Sequence, residues 1–206
     1  MEQLLKFFLE LHTYIYRLIN KLAVFCNNGI HPKHRIINYH KFFLDNICEG
    51  DIVLDIGCGN GALTYELAKK AKNVLAIDKD YKNIKKAKAK YNAENIEYIA
   101  ADVTKYEFKQ KFDAVILSNV LEHIKERRIF LLKIKKLSSK FLIRVPLLER
   151  DWLTLYKKEK GVDYRLDKTH YIEYTLEEFQ DEISHCGLSI DSFYIKFGEL
   201  YCIVKN

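Results

Sequence analysis

The sequence predicts a doubly wound α/β fold, and three observations support this prediction. Short apolar segments alternate with amphipathic ones from about residue 50 onward, as in a mostly parallel sheet with helices on both faces. Three glycines at alternate positions, Gly57, Gly59 and Gly61, follow the first apolar segment and permit a tight turn into a helix. The last two apolar segments flank a short turn, which predicts a C-terminal antiparallel hairpin.

The alternation assigns each element in order. We predict strands near residues 51–57, 73–77, 95–100, 112–117 and 140–145, and helices near 61–71, 80–91, 120–136 and 175–186. Segments 188–197 and 200–204 form the hairpin, which completes a seven-stranded sheet. We divide the chain into an N-terminal helical cap, 1–48, and a ligand-binding domain, 49–206, with an insertion at 147–174. A connection of that length between two elements indicates a functional insertion.

The first 25 residues predict a helix rich in Leu, Ile, Phe and Tyr. Lys6, Glu10, Arg17 and Lys21 interrupt this apolar segment, and such charges argue against a membrane-spanning helix. Three interpretations remain: a lid packed on the domain, a dimer contact, or an interfacial helix on a membrane. The N-terminus lacks a signal-peptide pattern, so we expect a cytoplasmic protein, with peripheral membrane contact through this helix as one alternative.

The composition and charge of the chain argue against several classes of function. The chain has 206 residues and a net charge of +6, and its length suits one domain. Its five cysteines are scattered without a Cys-x-x-Cys pair, which favours a reducing compartment over a disulfide framework. The lysines are spread mainly over two predicted outer helices, and no cluster of Arg and aromatic residues interleaves with them, so we expect no specific nucleic-acid surface.

Residues 53–61 read Val-Leu-Asp-Ile-Gly-Cys-Gly-Asn-Gly, a buried strand followed by a ligand-binding turn. The glycines alone also satisfy a dinucleotide fingerprint. Asp55 would repel a pyrophosphate, whereas it suits a ligand that carries an ammonium and a sulfonium. The segment resembles motif I of the class I S-adenosylmethionine-dependent methyltransferases. The resemblance implies S-adenosyl-L-methionine as cofactor and S-adenosyl-L-homocysteine as product, and it disfavours a nicotinamide-dependent oxidoreductase.

Three later segments match the same family in order and spacing. Asp78 ends the second strand, where an acid is placed to accept both ribose hydroxyls. Asp102 follows the third strand, where the family's acid accepts from the adenine amino group. Residues 118–124 read Ser-Asn-Val-Leu-Glu-His-Ile and resemble motif IV. The resemblance implies that the cofactor is bound by Asp55, Gly57, Cys58, Gly59, Asp78, Lys79, Asp102, Val103, Ser118 and Asn119.

A cationic segment precedes motif I and contains His31, His34, Arg35 and His40. In this superfamily the corresponding segment commonly closes over the cofactor, so Arg35, His34 or Tyr39 is expected to bind the methionine carboxylate. The alternative is a surface loop followed by a helical turn. A metal site formed by the three histidines conflicts with their spacing and with the absence of nearby acids. We therefore predict no metal.

The insertion supplies the acceptor side. His170 precedes Thr175 and Glu178, which form a capping-box pattern, and capping does not explain the histidine. His170 is expected to be the base that takes the acceptor's proton, with His123 as second choice. Motif IV lacks the Pro-Pro-aromatic form of amine-specific nucleobase enzymes. We therefore predict O-methylation of a small-molecule, glycan or lipid-linked hydroxyl. The alternatives are N-methylation of a small amine or protein side chain, and a silent cofactor-binding partner subunit.

Overall fold

The computed structural model describes residues 1–27, 29 and 31–206. The described residues form one seven-stranded sheet, with strand order β3-β2-β1-β4-β5-β7-β6. Its strands are β1 (Ile52–Ile56), β2 (Asn73–Asp78), β3 (Ile96–Ala100), β4 (Ala114–Ser118), β5 (Lys140–Pro146), β6 (Ser189–Lys196) and β7 (Glu199–Lys205). This confirms the predicted seven-stranded sheet with its C-terminal hairpin.

Strand pairing fixes where a ligand can bind. β1 pairs in parallel with β2 on one side and with β4 on the other, while β7 runs antiparallel between β5 and β6. The chain winds outward from β1 to β3, then crosses back to β4 beside β1. Loops that leave the carboxyl ends of β1 and β4 therefore diverge, which opens a crevice at this switch point.

The helices cover both faces and one end of the sheet. They are α1 (Glu2–Cys26), α2 (Lys33–Ile37), α3 (His40–Asp45), α4 (Ala62–Ala68), α5 (Tyr81–Lys90), α6 (Arg127–Ile134), α7 (Trp152–Glu159) and α8 (Leu176–His185). Thr175 and Glu178 form the predicted capping box at the start of α8. The insertion, predicted as a long connection, contains a helix of its own, α7, whose first turn is capped by the Asp151 carboxylate.

The predicted continuous helix over residues 120–136 is wrong. Residues 121–123 form a single 3-10 turn, and α6 begins only at Arg127. The break begins at Asn119, which has a positive φ of 55°, and continues at Ile124, which is extended. The backbone N–H of Tyr171 donates to the carbonyl of Glu122 at 2.8 Å. At Glu122, this hydrogen bond to the insertion thus takes the place of the one that the predicted helix would form.

Alternate residues of β1 supply the two sides of the core. Leu54 and Ile56 pack among the side chains of the larger apolar cluster, together with Phe130 and Phe141. Val53 belongs to a second cluster on the opposite face. Both faces of this central strand are buried, as expected of a parallel sheet covered by helices. The burial holds the end of β1 rigidly beneath the glycine turn.

Helix α1 packs against the insertion rather than against the sheet. The Thr13 hydroxyl donates to the carbonyl of Asp163 at 3.2 Å and accepts from the Lys157 ammonium at 2.8 Å, while Arg17 pairs with the Asp163 carboxylate at 2.8 Å. The opposite side of α1 exposes a set of large apolar residues: Leu4, Phe7, Phe8, Ile15, Leu18, Ile19, Leu22 and Phe25. Within the described part of the chain, no helix has both the length and the apolar character needed to cross a membrane.

Candidate active site

A cavity of about 800 Å³ lies at the carboxyl ends of β1 to β4. Its walls come from the four loops that leave these strands and from the insertion. The lining residues include Gly57, Asp78, Lys79, Asp102, Val103, Asn119, Val120, His123, Asp167, Thr169 and Tyr171. This volume lies within the usual range for pockets that hold a small ligand or cofactor.

Asp78 is the best-organised carboxylate in the cavity wall. One of its oxygens, Oδ2, accepts from the backbone N–H of Gly59 at 2.9 Å. The other, Oδ1, accepts from the backbone N–H of Asp80 at 2.8 Å. Each oxygen of a carboxylate has capacity for a further donor, so the fixed group can accept from two hydroxyls at once. Asp78 also ties the glycine turn after β1 to the end of β2.

Asp102 forms a second acceptor at the end of β3. Its Oδ1 accepts from both the N–H and the hydroxyl of Thr104, at 3.0 and 2.7 Å. These hydrogen bonds are the main cause that lowers the pKa of Asp102, so the group is a carboxylate at neutral pH. Ile77, Ala101 and Val103 line the same region and give it the apolar surface that a flat heteroaromatic ring requires.

Asn119 contributes a buried acceptor without a donor. Within the described residues its Oδ1 has no hydrogen-bond partner, although Asn119 lines the cavity. A buried amide oxygen without a donor costs free energy, which a ligand ammonium would recover. At Gly59, a Cβ in place of the glycine hydrogen would meet no heavy atom within 4 Å. The turn therefore leaves open space at this position for a ligand.

Asp55 and Cys58, although predicted to bind the cofactor, do not line the cavity. Asp55 is 2% exposed and accepts from the Thr64 hydroxyl at 2.6 Å. Its neighbours Leu54 and Ile56 face the other side of the sheet, so alternation along β1 directs Asp55 toward α4 instead. Burial raises the pKa of Asp55 to about 7. The geometry suits an indirect part in holding the glycine turn.

Arg35, His34 and Ser118 also lie apart from the cavity lining. Arg35 is exposed on α2, whereas His34 is partly buried with its ring 5.2 Å from that of Tyr39. Burial, followed by the charge of Lys33, lowers the pKa of His34 to about 4. A neutral imidazole offers a carboxylate no charge. The Ser118 hydroxyl accepts from the Arg144 guanidinium at 3.2 Å, so it faces β5 rather than the cavity.

Three titratable side chains meet where the insertion covers motif IV. One ligand atom from each of Glu122, His123 and His170 falls within 4.8 Å of the others. The two imidazole rings pack edge to face at 4.6 Å. Glu122 is fully buried, and within the described residues neither of its carboxylate oxygens has a hydrogen-bond partner. Burial raises the pKa of Glu122 to about 8.

Hydrogen bonds orient both histidines. Nδ1 of His170 lies 3.1 Å from the Glu173 carboxylate, and Nδ1 of His123 lies 2.9 Å from the Thr169 hydroxyl. Burial and the neighbouring His170 lower the pKa of His123. His123 lines the cavity, whereas His170 lies behind it and is only 6% exposed. The structure therefore brings the two predicted bases together, with His123 nearer the ligand space.

Glu122 is not among the residues predicted from the sequence, although it lies beside His123 in motif IV. No sequence signal marks its burial, because the break in the helix near Asn119 is apparent only in the structure. A second group lies on the other side of motif IV, and of its members only Tyr39 is a candidate predicted from the sequence. There the Arg144 guanidinium pairs with Glu199 at 2.6 Å and lies 3.9 Å from the centre of the Tyr39 ring.

The lining residues fit S-adenosylmethionine. Asp78 offers carboxylate oxygens for two ribose hydroxyls, and Asp102 offers an acceptor for an amino group next to an apolar patch. The unpaired oxygen of Asn119 suits the methionine ammonium. In sheet order these features lie at the ends of β3, β2 and β4, which matches an extended ligand with ring, hydroxyl and ammonium groups in that order.

Comparison with known proteins agrees with this chemistry. Residues 54–140 match the family model described as a methyltransferase domain. N-methyltransferase 4 of Papaver somniferum is 34% identical over 160 residues, covering 67% of this chain and 44% of that protein. A ubiquinone biosynthesis O-methyltransferase of Pelagibacter ubique is 36% identical over 90 residues, covering 43% of this chain and 38% of that protein. The chain thus spans less than half the length of either relative.

Two solved structures share the fold at low sequence identity. The DhpI complex with S-adenosylhomocysteine has a TM-score of 0.67 at 18% identity and covers 96% of both chains. Magnesium protoporphyrin IX methyltransferase of Synechocystis, also solved with S-adenosylhomocysteine, has a TM-score of 0.66 at 19% identity, covering 84% of this chain and 83% of that one. The methyltransferase-domain match over residues 54–140, together with this fold, supports the class I S-adenosylmethionine-dependent methyltransferase superfamily for this chain, with S-adenosyl-L-methionine as its cofactor.

Proposed function

We propose that the protein transfers the methyl group of S-adenosylmethionine to a hydroxyl of a small-molecule, glycan or lipid-linked acceptor. One observation carries the proposal: the buried group of Glu122, His123 and His170 adjoins the cavity that fits the cofactor. A hydroxyl acceptor must lose its proton as it attacks, and a nearby base with a pKa close to neutral assists that step. Glu122 has such a pKa, about 8; it is fully buried, so it would receive the proton through His123, which lines the cavity.

The reaction is an in-line displacement. The acceptor oxygen attacks the methyl carbon, a C–O bond forms, and the S–CH₃ bond breaks with its electron pair left on sulfur. The product is S-adenosylhomocysteine, and the acceptor's proton passes to the buried group. The protein's contribution is mainly to hold the two reacting atoms at about 3 Å and in line. The insertion performs this task, because Tyr171 lines the cavity and is joined to Glu122 through the backbone.

N-methylation is the second candidate, and two observations favour it. The relative from Papaver somniferum is an N-methyltransferase. In addition, the unpaired carboxylate of Glu122 is a suitable partner for the ammonium of an amine acceptor. An amine binds as a cation and must also lose a proton before it attacks. The same three residues would then bind and deprotonate the acceptor, so turnover with matched hydroxyl and amine acceptors separates the two candidates.

The experiment is transfer of a labelled methyl group from S-adenosylmethionine into fractionated cell extract. Extract is sorted into lipid, glycan, small-molecule, RNA and protein pools, with an Asp78→Ala protein as the matched control. We expect label in the lipid, glycan or small-molecule pool, carried by an acid- and base-stable ether. Label in protein, or on nitrogen, contradicts the O-methylation proposal. No label, together with measured cofactor binding, favours a silent partner subunit.

A further inference from the structure

We propose that Glu122, His123 and His170 bind one divalent transition-metal cation at the inner wall of the cofactor cavity. Their three ligand atoms lie within 4.8 Å of one another. Two imidazoles with one carboxylate form catalytic zinc and non-haem iron sites, in which the remaining positions stay open for water or substrate. The sequence predicts no metal, and the spacing of these three residues along the chain gives no sign that they meet.

The hydrogen bonds around the histidines leave Nε2 of each ring as the nitrogen for a metal. The Thr169 hydroxyl donates its one proton to the Asp167 carboxylate at 2.8 Å, so it accepts from Nδ1–H of His123. The Glu173 carboxylate only accepts, so Nδ1 of His170 also carries the proton. In both rings the lone pair is then on Nε2. A partner that holds the other ring nitrogen is typical of metal-binding histidines.

The buried carboxylate of Glu122 is the second, independent observation. It is fully buried, yet neither oxygen has a hydrogen-bond partner within the described residues. Buried carboxyl oxygens without a partner cost free energy, and such groups are commonly paired with a cation or coordinate a metal. Within the described residues neither Lys33 nor Arg144 forms an ion pair with Glu122, and Arg144 pairs with Glu199 instead. A bound cation would supply the missing partner.

The spacing requires only local adjustment. Ligands at about 2.0–2.2 Å from a tetrahedral Zn²⁺ lie about 3.4 Å apart, compared with the present limit of 4.8 Å. Rotation of the partly exposed His123 ring and of the Glu122 side chain can close this difference. Glu173, which holds His170, is itself fixed by an ion pair with Arg150. His170 is therefore already held in position.

The site adjoins the space for the reacting groups, since His123, Thr169 and Asp167 all line the cofactor cavity. While a cation is bound, these three groups are its ligands and not free bases, and the cation itself would polarise an acceptor oxygen and favour loss of its proton to water. That role rests on the proposed function. Cation binding itself does not, because the three ligands belong to this chain and need neither cofactor nor acceptor. The two claims can therefore fail separately.

The test is calorimetric titration of the full chain with Zn²⁺, after treatment with a chelator and without cofactor or acceptor. We expect one site per chain. Glu122→Gln and His123→Ala should each weaken it by more than about tenfold, since loss of a residue that merely holds a ligand costs about 10–100-fold. Glu173→Gln should fall in that 10–100-fold range. His185→Ala, at the exposed end of α8, is the matched control and should bind as the native chain does.

Three results would overturn the proposal. The first is no binding by the folded native chain. The second is undiminished binding by Glu122→Gln and His123→Ala, each checked for folding by circular dichroism. The third is loss of binding when the exposed thiols Cys26 and Cys48 are replaced by serine, or in His34→Ala, because the cation would then occupy a different site.

Discussion

The cofactor side and the acceptor side of this molecule are built in different ways. The cofactor side, residues 50–125, takes its key groups from the ends of adjacent parallel strands, so neighbours along the sheet become neighbours in the site. The acceptor side comprises α1, the segment before β1, and the insertion 147–174. Its key contacts join distant residues, such as Tyr171 with Glu122 and Thr13 with Lys157. Contacts of the first kind follow from the order of the strands, whereas contacts of the second kind depend on the path of the whole chain.

This difference explains what the sequence predicts well. A strand, a glycine turn and an acid at a strand end are local patterns, and the parallel pairing of β1 with β2 and β4 follows from their alternation. Asp78 and Asp102 are therefore found from sequence and line the cavity. Asp55 is predicted less well. The sequence identifies it as a cofactor-binding residue, but it lies on the face of β1 that packs under α4.

The structure of the acceptor side is hard to predict from the sequence, because the positions of its residues depend on contacts between segments that are far apart in the chain. Helical periodicity over residues 120–136 is genuine, yet the backbone bond from Tyr171 to Glu122 accompanies a break in the helix. Burial of Glu122 results from that break and has no local signature. His170 could be proposed as a base, but its distance from His123 depends on the path of the whole insertion. The same limitation applies to Arg35 and His34, which lie away from the cavity.

Glu122→Gln should produce the largest effect on turnover. It tests whether the acceptor side can be changed without a change in cofactor binding. The amide keeps the shape of the side chain but cannot take a proton, and loss of a general base typically costs 10²–10⁴-fold in rate. We expect turnover to fall by about that factor, with affinity for S-adenosylhomocysteine unchanged by calorimetry. A fall in cofactor affinity of similar size would mean that the two sides are not separate. Thr104→Ser, on the cofactor side, is the control.

His170→Ala should also lower turnover while cofactor affinity stays intact. His170 lies behind His123 and is held by Glu173, so its loss removes either a base or the residue that positions one. We expect a reduction of at least about tenfold in kcat. Glu173→Gln should reproduce part of it by releasing the ring. An unaffected rate in a folded His170→Ala protein would show that this histidine has only a structural role.

Asp78→Ala should have the opposite effect, because it changes the cofactor side and should weaken cofactor binding. Two ribose hydroxyls lose a charged acceptor, and the turn at Gly59 loses a hydrogen bond, so binding of S-adenosylhomocysteine should weaken by about 1–3 kcal/mol. The measurement is calorimetric titration of the native and variant chains. Lys85→Ala, exposed on α5 and outside the cavity lining, is the control and should bind as tightly as the native chain. Unchanged affinity in Asp78→Ala would show that the ribose lies elsewhere.

Asp55→Asn tests the buried support of the glycine turn. Because burial raises the folded-state pKa of Asp55 to about 7, the folded state holds this proton more tightly than the unfolded state does. Between about pH 4 and 7 the unfolded state therefore binds fewer protons, and stability falls as pH rises. Asp55→Asn should flatten this part of the profile of unfolding free energy against pH. An unchanged slope in urea titrations at several pH values would contradict the raised pKa.

The smallest effect is expected at the outer face of α1. Ile15→Glu with Leu18→Glu places two charges on the exposed apolar face without disturbing Thr13 or Arg17, so stability should change by less than about 0.5 kcal/mol. If that face contacts a membrane, the variant should sediment with phospholipid vesicles several-fold less than the native chain. Gln3→Glu, on the polar side, is the control. Equal vesicle binding by all three proteins contradicts membrane contact through α1, and a change in gel-filtration size indicates the dimer interpretation.

The most direct test of cofactor binding at the ends of β1 to β4 compares ligands by thermal unfolding. S-adenosylhomocysteine and NAD are added separately at the same concentration, and each raises Tm only if it binds the folded state. We expect that S-adenosylhomocysteine raises the Tm of the native chain, that this rise is much smaller in Asp78→Ala, and that NAD has no effect. A rise with NAD but none with S-adenosylhomocysteine would contradict the assignment of the cavity to S-adenosylmethionine.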